Sequence, residues 1–90
     1  MMMNPFKQLR RLLKPYFTCS EIPDGVMNGV NKEFILSNIP RPSSTLQLYV
    51  NGLRLTEGKN NDYTLVNDTI KFNIPPETGS IIVADYFIFE

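Results

Sequence analysis

The sequence predicts a small all-β domain, an antiparallel β-sandwich of about six to eight strands preceded by a short basic amphipathic helix. Three observations carry that expectation. From Glu21 onward, turn dipeptides recur about every eight to twelve residues, and the segments between them alternate apolar and polar side chains. The first twenty residues instead show helical spacing. The charge is also divided: Lys7, Arg10, Arg11 and Lys14 stand unopposed in those twenty residues, whereas the other seventy hold five Lys or Arg against nine Asp or Glu. A net charge of zero thus separates into a basic arm, expected over residues 1–20, and an acidic β domain, expected over residues 21–90.

In chain order, Asn4 can cap the arm helix, and Pro5 takes the first helical position, where its missing N–H costs nothing. Phe6, Leu9, Leu13 and Tyr16 then recur at three- and four-residue spacing, with the four basic residues covering much of the opposite side. Pro15 disfavours a helical Lys14 and marks the end. A helix of fewer than three turns is marginal in water and needs a surface to lie against.

Within the body, Asp24-Gly25 and Asn28-Gly29 punctuate the entry, and Lys32 to Ser37 forms the first strand, with Phe34 and Leu36 on one face. Pro40 and Pro42 interrupt the chain, because proline removes a ladder donor and restrains the residue before it. Thr45 to Val50 places Leu46, Leu48 and Val50 on one side and Thr45, Gln47 and Tyr49 on the other. Asn51-Gly52 is a strong hairpin signal, with Leu53 to Thr56 returning. After the polar stretch Gly58 to Asn61 come a strand from Asp62 to Val66, a tight turn at Asn67-Asp68, and a partner strand from Thr69 to Asn73 with Ile70 and Phe72 inward. Pro75, Pro76 and Gly79 turn the chain into Ser80 to Phe89, which is apolar on both sides. That last strand is either central and covered twice or presents a face to a neighbour. A small closed β-barrel satisfies the same pattern.

The composition narrows the chemistry. There is no histidine, so the commonest general base and metal ligand are both missing, and Cys19 is the only cysteine. Disulfides are therefore excluded within the chain, and a body of about seventy residues must find stability in its core or in partner subunits. Cys19 reads as a small apolar residue. Among the acids, Asp24 and Asp68 lie in turn dipeptides and Asp62 begins a strand, positions where carboxylates bond local backbone. Asp85 differs by sharing a strand face with Val83 and Phe87, and Arg41 or Arg54 is the expected partner. No glycine-rich phosphate loop, catalytic residue, metal site or cofactor is expected. No apolar run is longer than the four residues of Tyr86 to Phe89, far below the ~20 residues of a membrane span, and Leu12-Leu13 is followed at once by Lys14-Pro15, unlike a signal peptide.

The ordered segments 28–36 (Asn-Gly-Val-Asn-Lys-Glu-Phe-Ile-Leu), 46–55 (Leu-Gln-Leu-Tyr-Val-Asn-Gly-Leu-Arg-Leu), 62–65 (Asp-Tyr-Thr-Leu), 69–72 (Thr-Ile-Lys-Phe), 75–80 (Pro-Pro-Glu-Thr-Gly-Ser) and 84–86 (Ala-Asp-Tyr) resemble the small β-sandwich module of tailed-bacteriophage virion proteins, which recurs in tail-fibre, baseplate, collar and head-tail components. The likeness covers Asn28 to Tyr86. It implies a non-enzymatic structural subunit of a virion, assembled in the host cytoplasm, with other virion proteins as partners and a symmetric homo-oligomer as its setting.

The arm is then the expected docking element. Phe6, Leu9 and Leu13 would enter an apolar groove with Tyr16 at its edge, while Lys7, Arg10, Arg11 and Lys14 meet carboxylates around it. Nucleic acid is not expected as a partner, because the acidic body offers no continuing Lys/Arg stripe. A membrane is not expected either, because the apolar side is too small. Asp85, Phe87 and Phe89 are the candidate subunit-contact residues of the last strand. The alternative function is a carbohydrate- or host-surface-binding module using Tyr49, Tyr63 and Tyr86.

Overall fold

The computed structural model describes residues 16–88. They form seven strands: β1 (Tyr16–Glu21), β2 (Glu33–Ile35), β3 (Gln47–Val50), β4 (Leu53–Arg54), β5 (Tyr63–Val66), β6 (Thr69–Phe72) and β7 (Ile82–Ile88). One sheet has the order β1-β7-β3-β4 and the other β2-β6-β5, with every neighbouring pair antiparallel. The chain crosses between the sheets four times, making an open two-layer sandwich.

The closed barrel is not formed. Two crossings leave short backbone pairings on the smaller sheet where a barrel would join the larger one. Asp24 exchanges both hydrogen bonds with Ile35 at 2.8 Å along β2, and Gly58 N–H donates to the Tyr63 carbonyl at 2.7 Å along β5. These pairings occupy the edges while the sheets stay separate.

Turn chemistry sets the register. Asn51 and Gly52 both adopt positive φ, 53° and 83°, so the β3–β4 loop twists with its strands and pairs Val50 with Leu53. Asn67, at φ 56°, does the same for β5–β6, pairing Val66 with Thr69. Between Pro42 and β3 a single 3₁₀ turn, Ser43–Thr45, closes as Thr45 N–H and Oγ1 both donate to the Pro42 carbonyl. Thr45 Oγ1 also accepts from Phe87 N–H, fastening the crossover to β7.

Period-2 alternation builds the core. The inward row of β7, Ile82, Ala84 and Tyr86, meets Leu48 of the same sheet and Phe34, Ile70, Phe72 and Tyr63 of the opposing one, with Leu36 and Leu46 closing one end. Phe34 and Phe72 pack edge to face, with ring centroids 5.6 Å apart at 83°. The buried set contains no charged residue. Gly25 is required by this packing, since a Cβ there would lie 2.3 Å from the Phe34 ring.

The largest departure from expectation is β1. Tyr16 was expected on the apolar stripe of the arm, just past the proline that ends its helix, yet it begins a described strand, opposite Ile88. The residues 16–18, Tyr-Phe-Thr, favour strands, and Pro15 cannot continue a helix into them. Their pairing with β7 satisfies an edge that β3 leaves open and makes β7 central. Strand pairing thus reaches back to Tyr16, into the stretch expected to belong to the arm. The helix expected before it, with Phe6, Lys7, Leu9, Arg10, Arg11, Leu13 and Lys14, lies outside the described residues.

Candidate functional site: an apolar cleft at one end of the sandwich

Where the two sheets diverge, β3 delivers Val50, the segment after β4 delivers Leu55, and β6 delivers Phe72. The crossover toward β7 adds Ile74 and Pro76, and Asn61, Asp62 and Asn73 form the polar side. The cleft is open to solvent on one side and has a volume of about 190 Å³. Pro76 and Phe72 are buried, whereas Ile74 is 80% exposed at the mouth. Leu53, paired with Val50 and therefore on the same sheet face, is 72% exposed. Ile74 gives the cleft an apolar lip, and Leu53 adds exposed apolar surface beyond it.

The polar side chains here are already engaged. Asp62 Oδ2 accepts Thr56 N–H at 2.8 Å, while Asp62 N–H returns a bond to the Thr56 carbonyl at 3.0 Å. Asn73 Nδ2 donates to the Lys59 carbonyl at 3.2 Å and to that of Asn61, and Asn61 Nδ2 donates to the Glu57 carbonyl. They shape the 57–62 loop. What remains for a ligand is apolar surface, suited to taking up a side chain.

The other acids follow the same pattern. Asp85 does not pair with Arg41 or Arg54 as expected; its Oδ1 accepts Ser20 N–H at 2.6 Å. Ser20 has φ 58° within a bulge in which β1 uses one more residue than β7 between Thr18 and Glu21, so Asp85 holds that bulge. Glu21 Oε2 accepts Ser37 N–H at 2.6 Å and its Oε1 accepts from the buried Tyr86 hydroxyl, joining β1, β7 and the chain after β2. Burial, and next the bond to Glu21, push the Tyr86 phenol above its ordinary pKa, with Asn38 pulling the other way. Asp68 Oδ1 accepts from Thr69 Oγ1 at 3.2 Å.

Phe87 shares the outer face of the four-stranded sheet with Asp85 and is half-buried, while Phe89 lies outside the described residues. Tyr63 and Tyr86, named for a sugar-binding surface, have 2% and 0% exposure and offer no face for stacking. Tyr63 is pushed up to about 12, chiefly by burial and then by Glu57, against the opposing pull of Arg54. Of the three tyrosines, Tyr49 alone reaches the outer surface, where its hydroxyl donates to Gln47 Oε1 at 3.3 Å.

Among the described residues no group of three or more His, Cys, Asp or Glu is placed to hold a metal ion, and no helix is long and apolar enough to cross a membrane. No protein-family model, curated protein or solved structure matches this chain.

The sequence did not signal the cleft, because its walls come from four separate segments. Exposed Ile74 beside Pro75-Pro76 was the available hint, an apolar residue in a turn with no strand face to occupy.

Proposed function

We propose that this chain is a non-enzymatic structural subunit of a bacteriophage virion, held in place by its N-terminal basic segment docking onto another virion protein. The observation that carries a binding role over a catalytic one is the cleft: its free surface is apolar, its volume is about 190 Å³, and its polar side chains are committed to neighbouring backbone. Ligand pockets for whole small molecules run to roughly 300–1,000 Å³, whereas this space suits one or two apolar side chains of a protein partner. The carboxylates of Glu21, Asp62 and Asp85 likewise hold strands and loops together. The virion assignment rests on the ordered likeness of the segments from Asn28 to Tyr86 to the phage sandwich module. Mass spectrometry of purified particles tests it, with the chain expected at stoichiometric abundance. Absence from particles contradicts the assignment.

A further inference from the structure

A side chain closes the outer edge of β2. Ile35 turns its N–H and carbonyl outward, and the Asp24 backbone takes both in bonds of 2.8 Å. Glu33, two residues earlier, faces the same way, and there the partner is the Asn31 amide: Oδ1 accepts Glu33 N–H at 3.2 Å and Nδ2 donates to the Glu33 carbonyl at 2.8 Å. The same Nδ2 reaches the Val26 carbonyl at 3.1 Å. Asn31 thus stands in for a neighbouring strand, which keeps an exposed edge from pairing with another chain. Asn28 in turn positions Asn31, because its Oδ1 accepts the N–H of Val30 at 2.9 Å and that of Asn31 at 2.8 Å. Asn28 is followed by Gly29, and both are exposed. The Gly29 nitrogen is the next along the chain that can reach Asn28 Cγ, and glycine has no Cβ to obstruct the approach. The two N–H groups on Oδ1 lie where negative charge develops when that nitrogen attacks, as in an oxyanion hole. Asn28 Nδ2, the leaving amide, has no hydrogen-bond partner among the described residues. The other Asn-Gly pair, Asn51-Gly52, is held differently. Asn51 Oδ1 has one donor, Ile81 N–H at 2.9 Å, and its Nδ2 donates to Ser80 Oγ at 3.4 Å. Its φ of 53° puts it in the left-handed basin, where ψ of about +30 to +60° turns the following nitrogen away from the side chain. Asn28 lies outside that basin.

We propose that Asn28-Gly29 is a self-modifying site and that its reaction opens the edge of β2. The Gly29 nitrogen gives its proton to water or hydroxide and bonds to Asn28 Cγ, while the Cγ–Nδ2 bond breaks and Nδ2 leaves as ammonia. Water then opens the cyclic imide, at Cγ to give aspartate or at the main-chain carbonyl of residue 28 to give isoaspartate. The net change is one water taken up and one ammonia released, with no oxidation or reduction. Aspartate keeps an oxygen where Oδ1 was. Isoaspartate instead runs the backbone through the former side chain, so the Val30 and Asn31 N–H groups lose their acceptor and Asn31 loses its place beside Glu33. The reaction needs only water and does not depend on a virion setting.

Ageing the folded full-length protein at mildly alkaline pH tests this, with ammonia loss and isoaspartate followed by peptide mapping and mass spectrometry. Conversion at Asn28 should be at least about tenfold faster than at Asn51, and denaturant should bring the two rates together, since glycine follows both. Amide hydrogen exchange at Glu33 should be several-fold faster in the isoaspartyl fraction than in fresh protein, and Asn31→Ala should reproduce that rise without ageing. Asn28→Ser, which keeps a side-chain oxygen for the two N–H groups but cannot cyclise, should retain slow Glu33 exchange after ageing. Absence of conversion at Asn28 in the folded protein overturns the site, as does conversion at Asn51 at the same rate or faster. A difference between the two sites that denaturant leaves unchanged also overturns it. Unchanged Glu33 exchange in the isoaspartyl fraction overturns the link to β2.

Discussion

Gly25 and Gly52 are both glycines for opposite reasons, and substitution separates them. At Gly25 the obstacle is the Phe34 ring, 2.3 Å from an added Cβ, with Glu33 O at 3.0 Å. Phe34 is 1% exposed and locked edge to face on Phe72, so it cannot swing away. Gly25→Ala should cost about 1–3 kcal/mol through overpacking. At Gly52 there is open space but φ is 83°, and Gly52→Ala should cost about 1–2 kcal/mol through backbone strain alone. Urea unfolding measures both, and only Gly25→Ala should be partly rescued by Phe34→Leu, which vacates the ring. Tyr63 adds a pH signature. Its folded pKa of about 12 lies above the ordinary value of 10, so its contribution to stability is complete below pH 10 and is lost as pH rises toward 12. Tyr63→Phe should flatten the loss of stability between pH 10 and 12, measured by thermal melts across that window.

At the scale of elements, β1 is the strand whose removal matters most. It covers one edge of β7, contributes Glu21 to the Tyr86 hydroxyl, and carries the bulge that Asp85 holds through Ser20 N–H. A chain starting at Tyr16 should fold and melt close to the full-length protein, whereas one starting at Ile22 should melt far earlier or aggregate. Asp85→Ala, which removes the acceptor at an exposed bulge, should cost about 1 kcal/mol. The hairpins were legible in the sequence because Asn51-Gly52 and Asn67 are residues that accept positive φ, which fixes register locally. The placement of β7 was legible only as a choice, since a strand apolar on both faces is either central or an interface. β1 was misread because Tyr16 follows Leu13 at a spacing of three, extending the helical stripe past a proline that ends it. The Glu21–Tyr86–Ser37 junction was invisible in sequence: its members lie far apart in the chain.

For the whole molecule, the described core holds ten buried hydrophobic residues besides prolines, and a sandwich of about seventy residues has little stability in reserve. Burying one leucine-sized anchor contributes roughly 1.5–3 kcal/mol, so Leu9→Asp should impair incorporation into particles by at least tenfold. Arg10→Ala, which alters encounter and register more than affinity, should do less. Competitive incorporation, quantified by mass spectrometry of purified particles, ranks the two.

The most direct test of the account expresses the full-length chain and the chain starting at Tyr16 during phage assembly and compares their recovery in purified particles, after circular dichroism has established that both are folded. The full-length chain should be recovered at stoichiometric abundance and the shortened one should be missing. Equal recovery of the two, or recovery of neither, would contradict a virion subunit anchored by its N-terminal segment.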